Sequence, residues 1–253
     1  MLNSLVIAFA MYSKIPMPKV EWKEKNMSYS LCFFPLVGVV TGLLELFCFH
    51  VLKYLSAGKV MTAAFMTVLP VLINGGIHMD GFLDTVDAKS SWKPAEERLK
   101  ILKDPHTGAF AIIYGIVYLL AVLGLYTEIT EKGLQLLAVG FAYERVLSGL
   151  SVVTLKKAKK DGMAAKSADA AKKNVKWIMG AELAVCGAAF IILHPVYGAV
   201  CMVTGLLCFF YYRHMAYKLF GGVTGDLAGW FLQVCELLLM LALVFSEKLA
   251  AFL

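Results

Sequence analysis

The chain has 253 residues, 60% of them hydrophobic and only 17% charged, with a mean hydropathy of +0.73; soluble domains carry about 45–50% apolar residues. A water-soluble enzyme is excluded. The formal net charge of +6 does not argue for nucleic acid either, because the charges sit in loops between apolar runs.

The first apolar run, residues 2–12, is short. No basic residue precedes it and Lys14 follows it, the reverse of a secretory signal. It is expected to be a retained interfacial or re-entrant helix. Seven runs of bilayer length follow, at residues 31–52, 60–77, 108–126, 134–155, 177–193, 196–212 and 227–246. Pro195 makes a tight hairpin of the fifth and sixth. All six cysteines (Cys32, Cys48, Cys186, Cys201, Cys208, Cys235) fall in apolar stretches with no CxxC pair. They read as packing residues rather than as disulfide or zinc chemistry.

Counted segment by segment, Lys and Arg number 4, 5, 8 and 2 on one side of the bilayer and 2, 1, 0 and 1 on the other, with Arg145 alone inside a span. The positive-inside rule assigns the rich side to the cytoplasm, with the N-terminus inside and the C-terminus outside. The expected fold is therefore all-α: one polytopic helical membrane domain over 1–253, about seven transmembrane helices, and functional loops at 78–107, 156–176 and 213–226 on the cytoplasmic face. The loop KKAKKDGMAAKSADAAKKNVK (156–176) suits contact with anionic lipid or a lid for a polyanionic substrate.

All seven aspartates (Asp80, Asp84, Asp87, Asp104, Asp161, Asp169, Asp226) fall on that same face. Acidic residues contribute little to orientation, so topology does not require this. In HMDGFLDTVD, Asp80, Asp84 and Asp87 stand at i, i+4 and i+7, along one helix face. Close like charges call for a hard cation, and Mg2+ takes one or two carboxylates and shares its other positions with water and phosphate. Asp104, in KDPHTGAF, is a candidate further ligand. Asp80, Asp84, Asp87 and Asp104 are thus the expected metal ligands and catalytic groups, with His78 or His106 as a candidate base.

Glycines surround the run: Gly75, Gly76, Gly81 and Gly108. They admit either a close helix contact or a bulky ligand. A second glycine cluster, GGVTGD, ends in Gly225 and Asp226 and has the form of a phosphate-cradling turn before a helix. Arg145, beside Glu144 within the fourth span, is either neutralised there or reaches a phosphate.

The ordered series NGGIHMDGFLDTVDA, RLKILKDPHTGAFA, ERVLSG, KKDGMA and GGVTGDLAG, with AMYSKIPMP near the start, resembles the cobalamin synthase family, adenosylcobinamide-GDP ribazoletransferase. The resemblance runs from near residue 5 to about 240. It implies that α-ribazole, or its 5'-phosphate, is joined to adenosylcobinamide-GDP with release of GMP, using Mg2+ in the cytoplasmic membrane of a bacterium or archaeon. On this reading a 5'-oxygen of the ribazole attacks the phosphorus next to the cobinamide alcohol. Carried over by position, Asp80, Asp84, Asp87 and Asp104 hold Mg2+. Gly75, Gly76, Gly81 and Gly108 let backbone approach the substrate, Arg145 and Lys157 hold the diphosphate, and Gly225 and Asp226 match the family's C-terminal substrate-binding motif. Lys157 departs from the family pattern, where arginine near a proline is more common. The implied partners are the two substrates and the bilayer, with a homo-oligomer left open and nucleic acid excluded.

Two other classes compete. A Mg2+-dependent prenyl or CDP-alcohol phosphotransferase shares the aspartates and the helices, but the chain has a single tight triad and no DGxxAR pattern. A transporter could use Glu45, Glu144, Arg145, Glu182 and Glu236, yet it would not gather every aspartate at one side.

Overall fold

The computed structural model describes residues 1–159 and 161–252. Among these, twelve helices follow one another: α1 (Leu2–Tyr12), α2 (Glu24–Met27), α3 (Ser30–Tyr54), α4 (Lys59–Asn74), α5 (Ile77–Ser90), α6 (Ala95–Ile101), α7 (Ala109–Glu128), α8 (Glu131–Thr154), α9 (Met163–Ala170), α10 (Val175–Leu193), α11 (Pro195–Phe220) and α12 (Gly225–Phe252). Each of the seven apolar runs is helical, the second broken near its end. Six of them, α3, α7, α8, α10, α11 and α12, are long and apolar enough to cross a bilayer alone. The protein is a multi-pass helical membrane protein.

The second run departs from expectation. It does not stay straight to residue 77, because α4 ends at Asn74 and α5 leaves at 94°. Gly75 and Gly76 both adopt left-handed φ, +65° and +79°, a region that L side chains rarely occupy. The Asn74 side chain accepts the Gly76 amide at 3.0 Å and fixes the corner. With 14 residues and four charged side chains, α5 does not cross. It forms an arm at the lysine-rich end of the bundle.

Two spans are central and three peripheral. In α8 and α12, 78% and 72% of the most apolar stretch is buried, against 28% in each of α7, α10 and α11. The latter three turn one face to lipid. The most extensive pairing is α3 with α8. Gly38 and Gly42, four residues apart, bring the α3 backbone onto Phe141, Ala142 and Ala138 of α8, the small-xxx-small contact of membrane helices. α1 is too short to cross and packs on α3, burying Val6, Ile7, Ala8, Phe9 and Met11.

Pro195 opens α11 and the His194 ring accepts the Tyr197 amide, so α10 and α11 form the expected hairpin. All six cysteines are free; five are buried and Cys48 is partly so.

Arg145 lies in the bundle interior. Its guanidinium donates to Glu144 Oε1 and to the Phe141 carbonyl, both at 2.8 Å, and lies 5.9 and 5.8 Å from the Phe34 and Phe141 ring centres. Burying a charge demands such a partner. Neutralisation within the fold, rather than phosphate contact, is what its geometry supports.

Candidate active site

A cavity of about 340 Å³ opens at the lysine-rich end. It is lined by the end of α1, the starts of α3, α5 and α12, the end of α8 and residues 157, 159 and 161–165. Asp80, Gly81, Lys157, Gly225 and Asp226 line it, as expected from sequence, and His78 sits at its inner edge. Lys103, Lys159 and Asp161 line it too; Lys159 belongs to the loop that the sequence offers as a lid for a polyanionic substrate.

Local chemistry explains why these groups meet. At Gly81 a Cβ would stand 2.7 Å from the Asp226 carbonyl oxygen, and at Gly229 it would stand 3.2 Å from the His78 carbonyl oxygen. Glycine at both positions lets α5 cross α12 backbone to backbone, which places Asp80 beside Asp226. Thr224 caps α12 by accepting the Leu227 amide at 3.2 Å. The preceding turn is clipped to the end of the α8 segment: Val223 N donates to the Lys156 carbonyl and Ala158 N to the Val223 carbonyl, at 2.9 and 3.0 Å. The amides of Gly221, Gly222 and Val223 are thereby committed to protein carbonyls. The expected phosphate cradle shrinks to the α12 start at Gly225 and Asp226.

The four-aspartate ligand set does not assemble. Both Asp87 oxygens accept backbone amides at the start of α7, from Gly108 and from Ala111, the latter at 2.8 Å. A carboxylate at a helix N-terminus satisfies orphan donors and complements the dipole. Gly108 leaves room for it, since a Cβ there would stand 2.6 Å from Asp87 Oδ2. Asp104 is exposed and turns to its own neighbour, accepting the His106 amide and ring Nδ1 at 3.0 and 2.7 Å; those bonds hold its carboxyl below the usual range.

What remains together is Asp80, Asp84 and Asp226. Burial first, then the neighbouring Asp80, Asp226 and Asp87 charges, push Asp84 up to about 7, with Lys159 opposing. None of the three makes an ion pair within 4 Å among the described residues. Lys159 is held below its ordinary value by burial, while Asp226, Asp161 and Asp84 favour its charge. Lys103 pairs with Asp161 at 2.7 Å, and Lys157 pairs with Asp169. The mouth thus carries carboxylates on α5 and α12 together with Lys103, Lys157 and Lys159.

The donor set suits a hard divalent cation. Its oxygens are carboxylate, its charge excess has no cationic partner in contact, and no three His, Cys, Asp or Glu side chains among the described residues converge to cage a metal alone. A cation that takes two carboxylates and fills its shell with substrate phosphate fits that shortfall.

Asp87→Ala tests the division of labour. It should cost about 1–2 kcal/mol through the lost cap, read as a lower melting temperature in detergent, while kcat stays within about tenfold of wild type. A collapse of kcat without loss of stability would return Asp87 to the ligand set.

His78 is buried against Tyr12 and Phe34, with ring centres 6.4 and 5.9 Å away, and its Nε2 has no partner among the described residues. Gly75 and Gly76 shape the α4–α5 corner rather than line the cavity.

Comparison with known proteins gives the family. The family model described as cobalamin-5-phosphate synthase matches residues 4–244. A protein named adenosylcobinamide-GDP ribazoletransferase from Lachnoclostridium phytofermentans is 48% identical over 97% of this chain and 95% of its own. Proteins of the same name from Clostridium botulinum strain Alaska E43 and Halalkalibacterium halodurans are 27% and 28% identical, covering 93% and 94% of this chain and 94% of each relative. No solved structure matches. With one motif series and one model spanning nearly its whole length, the chain belongs to the cobalamin-5-phosphate synthase family.

Proposed function

We propose that the protein transfers α-ribazole, or its 5'-phosphate, onto adenosylcobinamide-GDP, releasing GMP and forming adenosylcobalamin or its 5'-phosphate. The observation that carries this reading is the meeting of Asp80 and Asp226 with Lys103, Lys157 and Lys159 around one cavity, with Asp84 close enough to feel both carboxylates, within a chain of this family. The sequence expectation of a 5'-oxygen nucleophile needs correction. A product phosphorylated on the 5'-carbon has no free 5'-hydroxyl to attack with, so a secondary ribose hydroxyl is the nucleophile. A bond forms from that oxygen to the phosphorus beside the cobinamide alcohol. The bond to the bridging diphosphate oxygen breaks, its electron pair leaves with GMP, and the hydroxyl proton is released.

Positioning and charge neutralisation dominate such a transfer. Lys103, Lys157 and Lys159 are placed to hold the diphosphate and the departing GMP. Asp84, with a carboxyl that titrates near neutrality, is positioned to accept the hydroxyl proton. Mg2+, when held by Asp80 and Asp226, would supply charge neutralisation at the transferring phosphoryl group. The lysine bias of the loops supports a site that faces the cytoplasm.

The test is purified protein in lipid with adenosylcobinamide-GDP and α-ribazole, with and without Mg2+, following GMP and cobalamin by mass. Equal, metal-dependent formation of both is expected. Absence of product from folded, metal-supplied protein would refute the assignment.

A further inference from the structure

We infer that the inner, apolar part of the cavity is the subsite for the heteroaromatic base of the incoming riboside, so that the ribose emerges at the mouth beside the carboxylates. This rests on the ribazole-transfer reading and names the half of the substrate pair that the cavity takes.

The cavity has two chemically distinct ends. Its mouth is built from Asp80, Lys157, Lys159 and Asp226, while the interior is built from side chains one or two turns inside the spans. Phe34 is in the second turn of α3, Val152 in the last turn of α8, and Leu232 seven residues into α12. At 1.5 Å per residue, Leu232 lies about 10 Å below the start of its helix. Tyr12, at the end of α1, closes the side, with its ring centre 4.0 Å from that of Phe34. Among the described residues, the polar groups at this end are Ser148, His78 and the Tyr12 hydroxyl.

Four planar or bulky groups come with the two substrates, and their edges differ; the adenine of the adenosyl ligand, with an amino donor and ring-nitrogen acceptors, would lose its water in an apolar interior. The corrin macrocycle with its amide side chains is far too large for about 340 Å³. Guanine carries two donor groups and a carbonyl acceptor along one edge. In an interior of Phe34, Val152 and Leu232, most of those groups would lose water and gain no partner. The dimethylbenzimidazole of ribazole presents an apolar edge with two methyl groups and, once glycosylated, a single free ring nitrogen. That demand matches an aromatic and aliphatic chamber with few hydrogen-bonding groups. Seating the base inward sets the ribose at the level of Asp80 and Asp226, and leaves the cobinamide-GDP diphosphate to approach from outside along the lysines.

The experiment uses the full chain in lipid, saturating adenosylcobinamide-GDP, and the α-ribosides of 5,6-dimethylbenzimidazole, 5-methylbenzimidazole and benzimidazole. A buried methyl is worth about fourfold in binding, so the riboside KM should rise about fourfold per methyl removed, or about 15-fold across the series. The KM for adenosylcobinamide-GDP should stay constant. Leu232→Asn and Phe34→Leu should each raise the riboside KM about tenfold or more, without a matching rise for the cobinamide substrate. An unchanged riboside KM across the series, in protein that forms cobalamin and GMP, overturns the subsite and leaves the transferase reading standing. Failure of the unsubstituted protein to form cobalamin from any riboside overturns the transferase reading, and the subsite with it. Because the riboside series needs no variant, the inference does not depend on whether either substitution folds.

Discussion

Replacing Asp84 with Asn is expected to lower kcat on the order of a thousandfold, the scale of losing one preorganised electrostatic group at a transferring centre, while the melting temperature holds or rises. The two effects share one cause. Asp84 is half-buried on α5 with Asp80, Asp226 and Asp87 close enough to raise its pKa to about 7. A carboxyl whose folded pKa lies above its unfolded value costs stability once pH passes the unfolded value, and the full cost is reached above the folded one. Asn keeps the shape and removes the charge, so the fold is relieved while the proton acceptor is lost. Single-turnover release of GMP, set beside thermal unfolding in detergent, reads both. Near-normal turnover would remove Asp84 from the chemistry, and a large drop in melting temperature would mean that its charge supports the fold.

Gly38→Leu is expected to prevent assembly of the bundle. A Cβ at this position would stand 2.2 Å from the Phe141 carbonyl oxygen, 2.5 Å from its carbon and 2.7 Å from the Ala142 amide nitrogen. These are backbone atoms of the most buried span, so no side chain can swing aside. Overpacking of this kind costs about 3 kcal/mol or more, and here it separates the two helices that carry Phe34 and Ser148 into the cavity. Size-exclusion profiles of detergent extracts should show aggregate in place of a single species, with Gly38→Ala less affected. A monodisperse, active Gly38→Leu protein would disprove the tight α3–α8 contact.

Much of this architecture is legible in the sequence because a bilayer imposes one length on every span. The seven runs, the Pro195 hairpin and the short first helix needed only hydropathy and a proline. The glycine pair at Gly75 and Gly76 was visible, but whether it admitted a ligand or turned the chain was not. The turn follows from left-handed φ at both residues, which composition does not encode. Asp87 looked equivalent to Asp80 and Asp84, since spacing records only the face of its own helix. Its task depends on the α7 amides from a segment that returns to it. The neutralisation of Arg145 by Glu144 was open from adjacency alone, and burial decided it. Gly38 and Gly42 carried a readable small-residue spacing, and the role of Lys159 required knowing that its loop folds back over α12.

The crossing of α5 on α12 also orders events during biosynthesis. Asp80 and Asp84 sit on a short arm whose main partner is the last of these helices to be made, with α7, α8, α10 and α11 emerging in between. Until α12 docks, the glycine contact at Gly81 is missing and Asp226 has not arrived, so a nascent or truncated chain holds half a site. Catalytic competence in this protein is therefore a property of completed membrane insertion, and a chain stalled on the ribosome is silent.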